Sequence, residues 1–273
     1  MKHYKRALTI AGSDPSGGAG LQADLKTFSA LGVFGTTAIV AIVDENTRGV
    51  YGVHPVPDSF VAGQIRSVLS DIGTDAVKIG MLHSSSLIRT VLSTLREFPE
   101  IRNIVLDPVM VATSGDPLLE PDAVGTLRGE LMPYCRVITP NLPEASLLLG
   151  KTIDHQDQLA DAARELSSLC PGSKVSVMLK AGHLSDNRLT DIFYNAETGK
   201  STLLTSDRVN TVNTHGTGCT LSSAIAAWLA RGADLDTAAR RAKDYIAAAI
   251  AAGADYEIGK GHGPVCHFYA LWH

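Results

Sequence analysis

A glycine-rich turn in the last quarter of the chain has the residue types of an anion-binding site. Residues 212–224 read VNTHGTGCTLSSA, which predicts a strand-like run ending at Thr214, a turn, and an Ala- and Leu-rich helix. The N–H groups of such a turn, with a helix N-terminus, stabilise phosphate groups. Cys219 falls in the first helical turn, where the helix dipole lowers the pKa of a thiol. We predict an anion hole with Cys219 beside it as a base, although a glycine turn that only starts a packed helix has the same local sequence.

Polar and charged side chains also follow several predicted strands at the point where each strand ends. In open α/β sheets, ligands bind beyond the carboxyl ends of the strands. Each residue has an ordinary structural explanation on its own, because Asp often caps turns and Lys is usually a solvated surface charge. The residues are Gly12, Asp14, Asp44, Glu45, Lys78, Met81, Asp107, Glu144 and Lys180. Their common position predicts one ligand site at this edge of the sheet.

The chemistry that this set favours is phosphoryl transfer from a nucleoside triphosphate. That reaction needs positioning, a metal, cationic charge and a base for the acceptor hydroxyl. Asp107 and Glu144 are oxygen ligands of the kind that suits Mg²⁺. Lys180 is expected to reach the phosphates, and the N–H groups of residues 216–219 to bind the transferring phosphoryl group. The thiol would take the proton of the acceptor hydroxyl, with His215 as the reserve candidate.

Two further glycine motifs suggest other nucleotide sites. Residues 18–23 read GAGLQA and fit the dinucleotide fingerprint, with Asp44 or Glu45 about twenty residues on, which keeps a nicotinamide-dependent oxidoreductase as an alternative. Residues 13–17 separate this fingerprint from the strand that it should follow directly, so a loop that encloses a ligand is favoured. Residues 150–152 read GKT, like the end of a P-loop, but Ala145 stands where the first glycine of that motif belongs.

The composition is that of an ordinary soluble globular protein. The 273 residues are 45% hydrophobic and 19% charged, and the formal net charge of −4 is spread without long runs of one sign. Nothing in this pattern favours a nucleic-acid or membrane surface. The four cysteines have no Cys-x-x-Cys spacing, which indicates reduced thiols. No apolar stretch reaches the length of a membrane span or a signal sequence, so we predict a cytoplasmic protein.

Short β-branched runs alternate with segments of helical length along the chain. This alternation predicts an α/β fold with a mostly parallel sheet in a single domain over residues 1–273. A nearly all-apolar run at 36–43 predicts a buried strand, followed by a polar loop at 44–54. The next helix is predicted to begin with Asp58 or Ser59 as its cap.

Two later segments are predicted to form smaller features. Residues 109–119 contain Ser-Gly-Asp-Pro and are predicted to be a functional loop. Residues 189–194 and 201–205 predict a small β-hairpin.

A series of segments, taken in order, resembles the hydroxymethylpyrimidine/phosphomethylpyrimidine kinases of the ribokinase-like superfamily. The resemblance covers nearly the whole chain, and several ordered motifs together are more specific than any one of them. The segments are AGSDPSGGAGLQAD at 11–24, KIGM at 78–81, DPVM at 107–110, SGDPLL at 114–119, TPNLPEA at 139–145, GTGC at 216–219, and GPV followed by HF within 263–268. Cys219 stands where most sugar kinases of the superfamily carry Asp.

The resemblance implies a three-layer αβα sandwich and a homodimeric cytoplasmic enzyme. It implies ATP- and Mg²⁺-dependent phosphorylation of 4-amino-5-hydroxymethyl-2-methylpyrimidine, and then of the monophosphate, to give the diphosphate for thiamine synthesis. Carried over onto this sequence, the pyrimidine contacts are Gly12, Asp24, Glu45, Met81 and Val109; the metal residues are Asp107 and Glu144; and the phosphate and nucleotide contacts are Lys180, Gly216, Thr217 and Gly218. Lys243 is placed near the nucleotide, an assignment that competes with a solvated helix face.

One departure from the family pattern concerns the pyrimidine pocket. The family usually has Gln before Asn-Thr, where this chain has Glu45 before Asn46 and Thr47. Gln both donates and accepts hydrogen bonds, whereas ionised Glu45 only accepts, so an altered substrate preference is expected. A pyridoxine or pyridoxal kinase of the same fold is the second hypothesis, and a non-catalytic binder of a vitamin precursor remains a third.

Overall fold

The computed structural model describes residues 2–111, 118–182 and 188–272. The predicted loop at 109–119 and the family segment at 114–119 therefore fall largely outside the described residues. Over the described ranges the strands are, in chain order, β1 (Arg6–Ala11), β2 (Phe34–Ile39), β3 (Ala41–Asn46), β4 (Gly49–Pro55), β5 (Ala76–Ile79), β6 (Ile104–Leu106), β7 (Val137–Ile138), β8 (Ser176–Leu179), β9 (Arg188–Asn195) and β10 (Lys200–Asp207).

Eight of these strands form one central sheet in the order β2-β1-β5-β6-β7-β8-β9-β10. The pairs from β2 to β8 are parallel, and the last two pairs are antiparallel. The predicted mostly parallel sheet is confirmed. The predicted hairpin is the β9–β10 pair, which extends one edge of this sheet.

Helices cover both faces of the sheet. They are α1 (Gly20–Ala30), α2 (Asp58–Asp71), α3 (Ser85–Leu95), α4 (Ala123–Thr126), α5 (Leu142–Leu149), α6 (Leu159–Ser168), α7 (Thr217–Ala230) and α8 (Leu235–Gly253). Side chains of a strand alternate between its two faces. Leu8 of β1 accordingly packs in a core with α2, α3, α5 and α6, whereas Ala7 packs in a second core with α1, α7 and α8. The result is the three-layer αβα sandwich.

The segment after β2 differs from its prediction. The strand predicted at 36–43 is interrupted at Val40, and the polar loop predicted at 44–54 contains β4, which pairs with β3 in a separate two-stranded sheet. In β3, Ala41 and Val43 are buried while Ile42 is exposed. A sheet with one covered face needs apolar residues only at alternate positions. Because the other positions here are polar, the sequence pattern of residues 44–54 resembles a loop, and the prediction missed β4.

Two helix starts also differ from prediction. Pro57, rather than Asp58 or Ser59, is the N-cap residue of α2, and no side chain caps this helix. Residues 212–214 do not form the predicted strand before α7. A helical segment that was not predicted follows α4, as a π turn over Leu127–Leu131 and a 3₁₀ turn over Met132–Tyr134. None of the helices in the described ranges is long and apolar enough to cross a membrane.

Candidate active site

A cavity of about 730 Å³ lies at the carboxyl ends of the parallel strands, beneath the two-stranded β3–β4 sheet. It brings together nearly all of the residues that were predicted to form the site. Those that line it are Gly12, Glu45, Met81, Val109, Asp107, Glu144, Lys180, Gly216, Thr217, Gly218, Cys219 and Lys243. Asp24 and Asp44 are the exceptions: the side chain of Asp24 is completely buried outside the cavity lining, and Asp44 is exposed away from it, which corrects its predicted place in the site.

The N-terminus of α7 opens into this cavity. Its N-cap residue, Gly216, has a left-handed backbone (φ 77°) and supplies no side-chain cap. The first N–H groups of a helix lack intrahelical partners. That of Thr217 donates to Thr214 O at 3.2 Å, so those of Gly218 and Cys219 are the helix N–H groups available to an anion. A Cβ at position 216 would lie 1.7 Å from the carbonyl oxygen of Gly18. The anion hole therefore requires glycine both for its backbone conformation and for its contact with the loop before α1.

Replacing Gly216 tests this close approach. A left-handed conformation costs a residue with a side chain about 1–2 kcal/mol. We expect Gly216→Ala to lose more than this in the free energy of unfolding, because the loop carrying Gly18 must also move. Gly232 is the matched control, since it has a φ of 88° but no heavy atom within 4 Å of the position that a Cβ would take. Urea unfolding of Gly216→Ala and Gly232→Ala measures both costs, and equal values would contradict the steric argument.

Cys219 lies in the first turn of α7, as predicted, but its ionisation differs from the prediction. The nearby backbone N–H of Gly20, at the start of α1, favours the thiolate and so acts to lower the pKa of Cys219. The pKa of Cys219 is nevertheless raised to about 11, chiefly because the thiol is buried. The positive charge of Lys78 opposes this shift, whereas the carboxylates of Asp24 and Asp107 add to it. The predicted lowering by the helix dipole is therefore wrong for the ligand-free protein. The thiol is protonated at neutral pH.

Lys180 and Asp107 form an ion pair below the anion hole. Lys180 Nζ lies 3.0 Å from Asp107 Oδ1, which also accepts a hydrogen bond from Thr139 Oγ1 at 3.0 Å. Burial opposes ionisation of both groups, but the lysines around Asp107 hold the pKa of this carboxyl below its usual value, and Asp107 and Glu144 raise the pKa of Lys180. A Cβ at Gly218 would lie 3.3 Å from Lys180 Nζ. The cation and the N–H groups of α7 thus face the same space.

Glu144 has the features of a metal-binding carboxylate. It forms a capping box with Asn141 at the start of α5, in which Oε2 accepts a hydrogen bond from Asn141 N at 2.8 Å. Burial raises the pKa of Glu144 to about 7, Lys180 opposes the shift, and the charge of Asp107 adds to it. Two buried carboxylates with one lysine between them leave negative charge that a divalent cation would neutralise. Their oxygen atoms fit the ligand preference of Mg²⁺.

Asp24 acts below the cavity rather than inside it, which corrects the prediction of a substrate contact. Its Oδ2 atom lies 2.8 Å from Nζ of the fully buried Lys78 and accepts a hydrogen bond from Thr9 Oγ1 at 2.6 Å. Its Oδ1 atom accepts from Ser223 Oγ of α7 at 2.6 Å. Asp24 therefore joins α1, β5 and α7 under the anion hole.

Lys243 is also held by a carboxylate, so the prediction of a solvated helix face is wrong. Its Nζ atom lies 2.8 Å from Asp191 Oδ2, and the other oxygen of Asp191 accepts from Ala181 N at 2.8 Å. Asp191, which was not among the predicted site residues, links α8 to the backbone immediately after Lys180. It lies within β9, and no local pattern distinguishes it from other polar strand residues.

Another part of the cavity lining, which we call the slot, consists of the apolar Gly12, Val43 and Met81 together with the polar Glu45. A Cβ at Gly12 would lie 3.0 Å from Met81 Cε and 3.6 Å from Val43 Cγ2. Glu45 lies on the cavity face of β3, two residues beyond Val43, whereas Asp44 is exposed on the other face. This part of the lining combines apolar surface with one polar group, Glu45, a composition that suits a heteroaromatic ligand.

Three polar side chains meet beside this slot. Their ligand atoms all lie within 4.8 Å of one another. Asp14 Oδ2 lies 2.8 Å from Nε2 of His215, which is 3.7 Å from Glu45 Oε1. His215 is thus the hydrogen-bond partner of Asp14. Asp14 was predicted at the correct sheet edge, but these partners were not.

Comparison with known proteins gives concordant results. The family model for phosphomethylpyrimidine kinase matches residues 14–266. The hydroxymethylpyrimidine/phosphomethylpyrimidine kinases of Rhizobium meliloti (strain 1021) and Escherichia coli (strain K12) are 49% and 47% identical, each over 97% of this chain and 98% of the relative. The structure of Bacillus subtilis pyridoxal kinase in complex with ADP aligns with a TM-score of 0.88 at 37% identity, covering 99% of this chain and 100% of that one. Phosphomethylpyrimidine kinase from Clostridium difficile 630 aligns with a TM-score of 0.76 at 39% identity over 88% and 97% of the two chains.

Proposed function

The chain belongs to the phosphomethylpyrimidine kinase family, and we propose that its reaction takes place in the cavity described above. The protein is a phosphotransferase that phosphorylates the hydroxymethyl group of hydroxymethylpyrimidine and then the resulting monophosphate, in thiamine biosynthesis. ATP is the phosphoryl donor. The observation that supports this placement is the convergence, in one cavity, of a helix N-terminus, the Lys180–Asp107 pair and the slot beside Glu45.

Each part of the cavity has a role in this proposal. The N–H groups of Gly216, Gly218 and Cys219 bind the γ-phosphoryl group, and Lys180 compensates the charge on its oxygens. The pyrimidine ring occupies the slot formed by Gly12, Val43 and Met81. Thr217 and Lys243 lie on the nucleotide side, where Lys243 also fixes the backbone after Lys180 through Asp191.

The proton of the acceptor alcohol is assigned to Cys219. The hydroxymethyl oxygen forms a bond to the γ-phosphorus while the bond from that phosphorus to the bridging oxygen of ADP breaks. The hydroxyl proton passes to Cys219 Sγ in its thiolate form. Because burial raises the pKa of this thiol to about 11, only a small fraction of the free protein carries the thiolate at neutral pH.

Asp107 and Glu144 are the residues that would hold Mg²⁺. The ion would supply charge neutralisation of the phosphates when bound. The chain's own contribution is to keep two carboxylates buried on either side of Lys180.

Removing one of these carboxylates should weaken the dependence on the metal. We expect Glu144→Gln to raise the Mg²⁺ concentration for half-maximal activity by about 10–100-fold. Glu165→Gln, which changes an exposed carboxylate paired with Lys151, is the matched control and should leave the requirement unchanged. Rates measured over a Mg²⁺ titration at fixed ATP test this, and equal behaviour of the two variants would remove Glu144 from the metal site.

The proposed function is tested by ADP release with a panel of acceptors. Hydroxymethylpyrimidine and its monophosphate should each support ADP formation, whereas ribose should not. Pyridoxine and pyridoxal belong in the panel because the pyridoxal kinase fold aligns over 99% of this chain. Absence of ADP release with every alcohol, in a folded protein, would contradict the kinase assignment, and binding without turnover would favour a precursor-binding protein.

The remaining part of the proposal concerns assembly and location. We propose that residues 1–273 form one domain that works as a homodimer in the cytoplasm, as the family resemblance implies. Sedimentation at the enzyme concentrations used for assay measures the oligomeric state, and a monomer there would contradict this part alone.

A further inference from the structure

Glu45 occupies the polar edge of the slot together with a second carboxyl group. Asp14 lies in the loop after β1, and its carboxylate accepts hydrogen bonds from the backbone N–H groups of Ser16, Gly18 and Ala19 at 2.6–3.0 Å. It also contacts His215 Nε2 at 2.8 Å. With so many donors, Asp14 is held as an anion, and its pKa lies below the usual value despite burial.

The carboxyl group of Glu45 has no comparable set of donors. Its side chain is 13% exposed, and one of its carboxyl oxygens lies within 4.8 Å of a carboxyl oxygen of Asp14 and of a ring nitrogen of His215. When two largely buried carboxyl groups lie this close, their mutual repulsion favours the state in which one of them keeps its proton. Burial is the main reason that the pKa of Glu45 is raised to about 8, and the neighbouring carboxylate of Asp14 adds to this shift. The proton therefore belongs to Glu45 at neutral pH, which corrects the expectation of an ionised acceptor.

The groups that face Glu45 come from three elements. The β1–α1 loop contributes Asp14, and the turn before α7 contributes His215. Strand β4 places the apolar Val50 opposite Glu45 in the small sheet. In the described part of the chain, Asp14 and His215 are the titratable groups in contact with Glu45, and no lysine or arginine is paired with it.

We propose that Glu45 recognises the aminopyrimidine as a neutral carboxylic acid, whose O–H turns from Asp14 to a ring nitrogen while its other oxygen accepts from the 4-amino group. This inference rests on the proposed function, because it takes hydroxymethylpyrimidine as the substrate. Asp14 can release the O–H because its three backbone donors and His215 remain.

The neutral acid reproduces the hydrogen bonds of the glutamine that is usual here. An amide donates through N–H and accepts through its carbonyl, and a carboxylic acid does the same with O–H and C=O. An ionised carboxylate can only accept, and it would face the lone pair of the ring nitrogen. Pyridoxine has no ring nitrogen adjacent to an amino group, so the paired contact also selects the aminopyrimidine over the pyridoxine ring.

The test is the pH dependence of KM for hydroxymethylpyrimidine at saturating ATP, from pH 6.5 to 9.5. In the native protein we expect KM to rise about tenfold per pH unit above pH 8, and the selectivity against pyridoxine to fall in parallel. In Glu45→Gln, KM should stay flat within about twofold over this pH range, since an amide does not titrate there. Because this variant uses the same substrate, any titration of the substrate itself appears in both profiles.

Asp44→Asn is the matched control, because it removes a carboxylate from the exposed face of the same strand. It should follow the native profile. Calorimetric titration without ATP, in buffers of different ionisation enthalpy, adds a readout that does not depend on turnover. At pH 9 the native protein should take up about one proton on binding, and Glu45→Gln none.

The outcomes separate this inference from the function on which it rests. A flat native profile, or the same rise in Glu45→Gln, would overturn the neutral-acid contact while leaving the kinase assignment intact. Absence of both binding and turnover at every pH would instead refute the proposed function. In Asp14→Asn, loss of the neighbouring charge should move the rise in KM to lower pH, and a rise that stays at pH 8 would contradict the shared proton.

Discussion

Cys219→Ala is expected to lower kcat for the first phosphoryl transfer by about 10²–10⁴-fold, the usual contribution of a general base. The thiol lies at the N-terminus of α7, beside the N–H groups that we assign to the phosphoryl group. His215, the reserve candidate, is already engaged by Asp14. Steady-state ADP release with hydroxymethylpyrimidine measures the loss, and direct titration of ATP should show unchanged binding.

The second transfer supplies an internal control for this variant. Its acceptor is a phosphate monoester, whose second pKa of about 6 leaves an ionised oxygen at neutral pH. No base is needed for such an acceptor, so Cys219→Ala should slow the second transfer much less than the first. Cys266→Ala, which removes another free thiol outside the cavity lining, should affect neither step. Unchanged turnover in Cys219→Ala would move the base to His215 or to water.

The pH dependence of kcat follows from the raised pKa of Cys219. With a thiol pKa of about 11, kcat for the first transfer should rise with pH throughout the neutral range, about tenfold per unit if deprotonation limits the rate. Cys219→Ala should lose this slope. The slope in kcat and the rise in KM assigned to Glu45 have separate origins, so each can be removed by its own substitution.

The site was predictable from the sequence to the extent that it depends on strand ends and glycine turns. Lys180, Asp107 and Glu144 meet where the carboxyl-end rule places them, because the chain order of the parallel strands brings their ends together. The protonation states were not predictable. Those of Glu45 and Cys219 depend on burial and on charges from residues distant in sequence, such as Asp14 and Lys78.

The fold, like the site, was predictable where the local sequence determines it and not where contacts between distant residues do. The inner parallel strands β5 to β8 are buried on both faces, so the short β-branched runs of the sequence indicated them as strands. The β3–β4 sheet was missed because one of its faces is open, so its residues read as a strand and a polar loop. Asp24 was predicted to contact the substrate because its segment matches the family. The three-dimensional contacts with Lys78, Thr9 and Ser223 show instead that it joins the elements beneath the anion hole.

Lys180→Met is expected to lower kcat by about 10²–10³-fold, the typical cost of removing one group that stabilises transition-state charge. Three contacts fix the position of Lys180. Its Nζ atom donates to Asp107, and its backbone N–H donates to Pro140 O at 3.0 Å. The N–H of the following residue, Ala181, donates to Asp191. A cation held in this way needs no rearrangement when charge develops on the phosphoryl oxygens. The effect should therefore fall mainly on kcat, with a smaller rise in KM for ATP.

Lys151→Met is the control for Lys180→Met, because it removes an exposed lysine paired with Glu165 outside the cavity. Both variants should remain folded in thermal melts, although Lys180→Met leaves Asp107 and Glu144 without their shared cation and should lose some stability. Unlike the loss in Cys219→Ala, the loss in Lys180→Met should be similar for both transfers, since each moves a γ-phosphoryl group through the same anion hole. A loss confined to the first transfer would mean that Lys180 serves the alcohol rather than the phosphates.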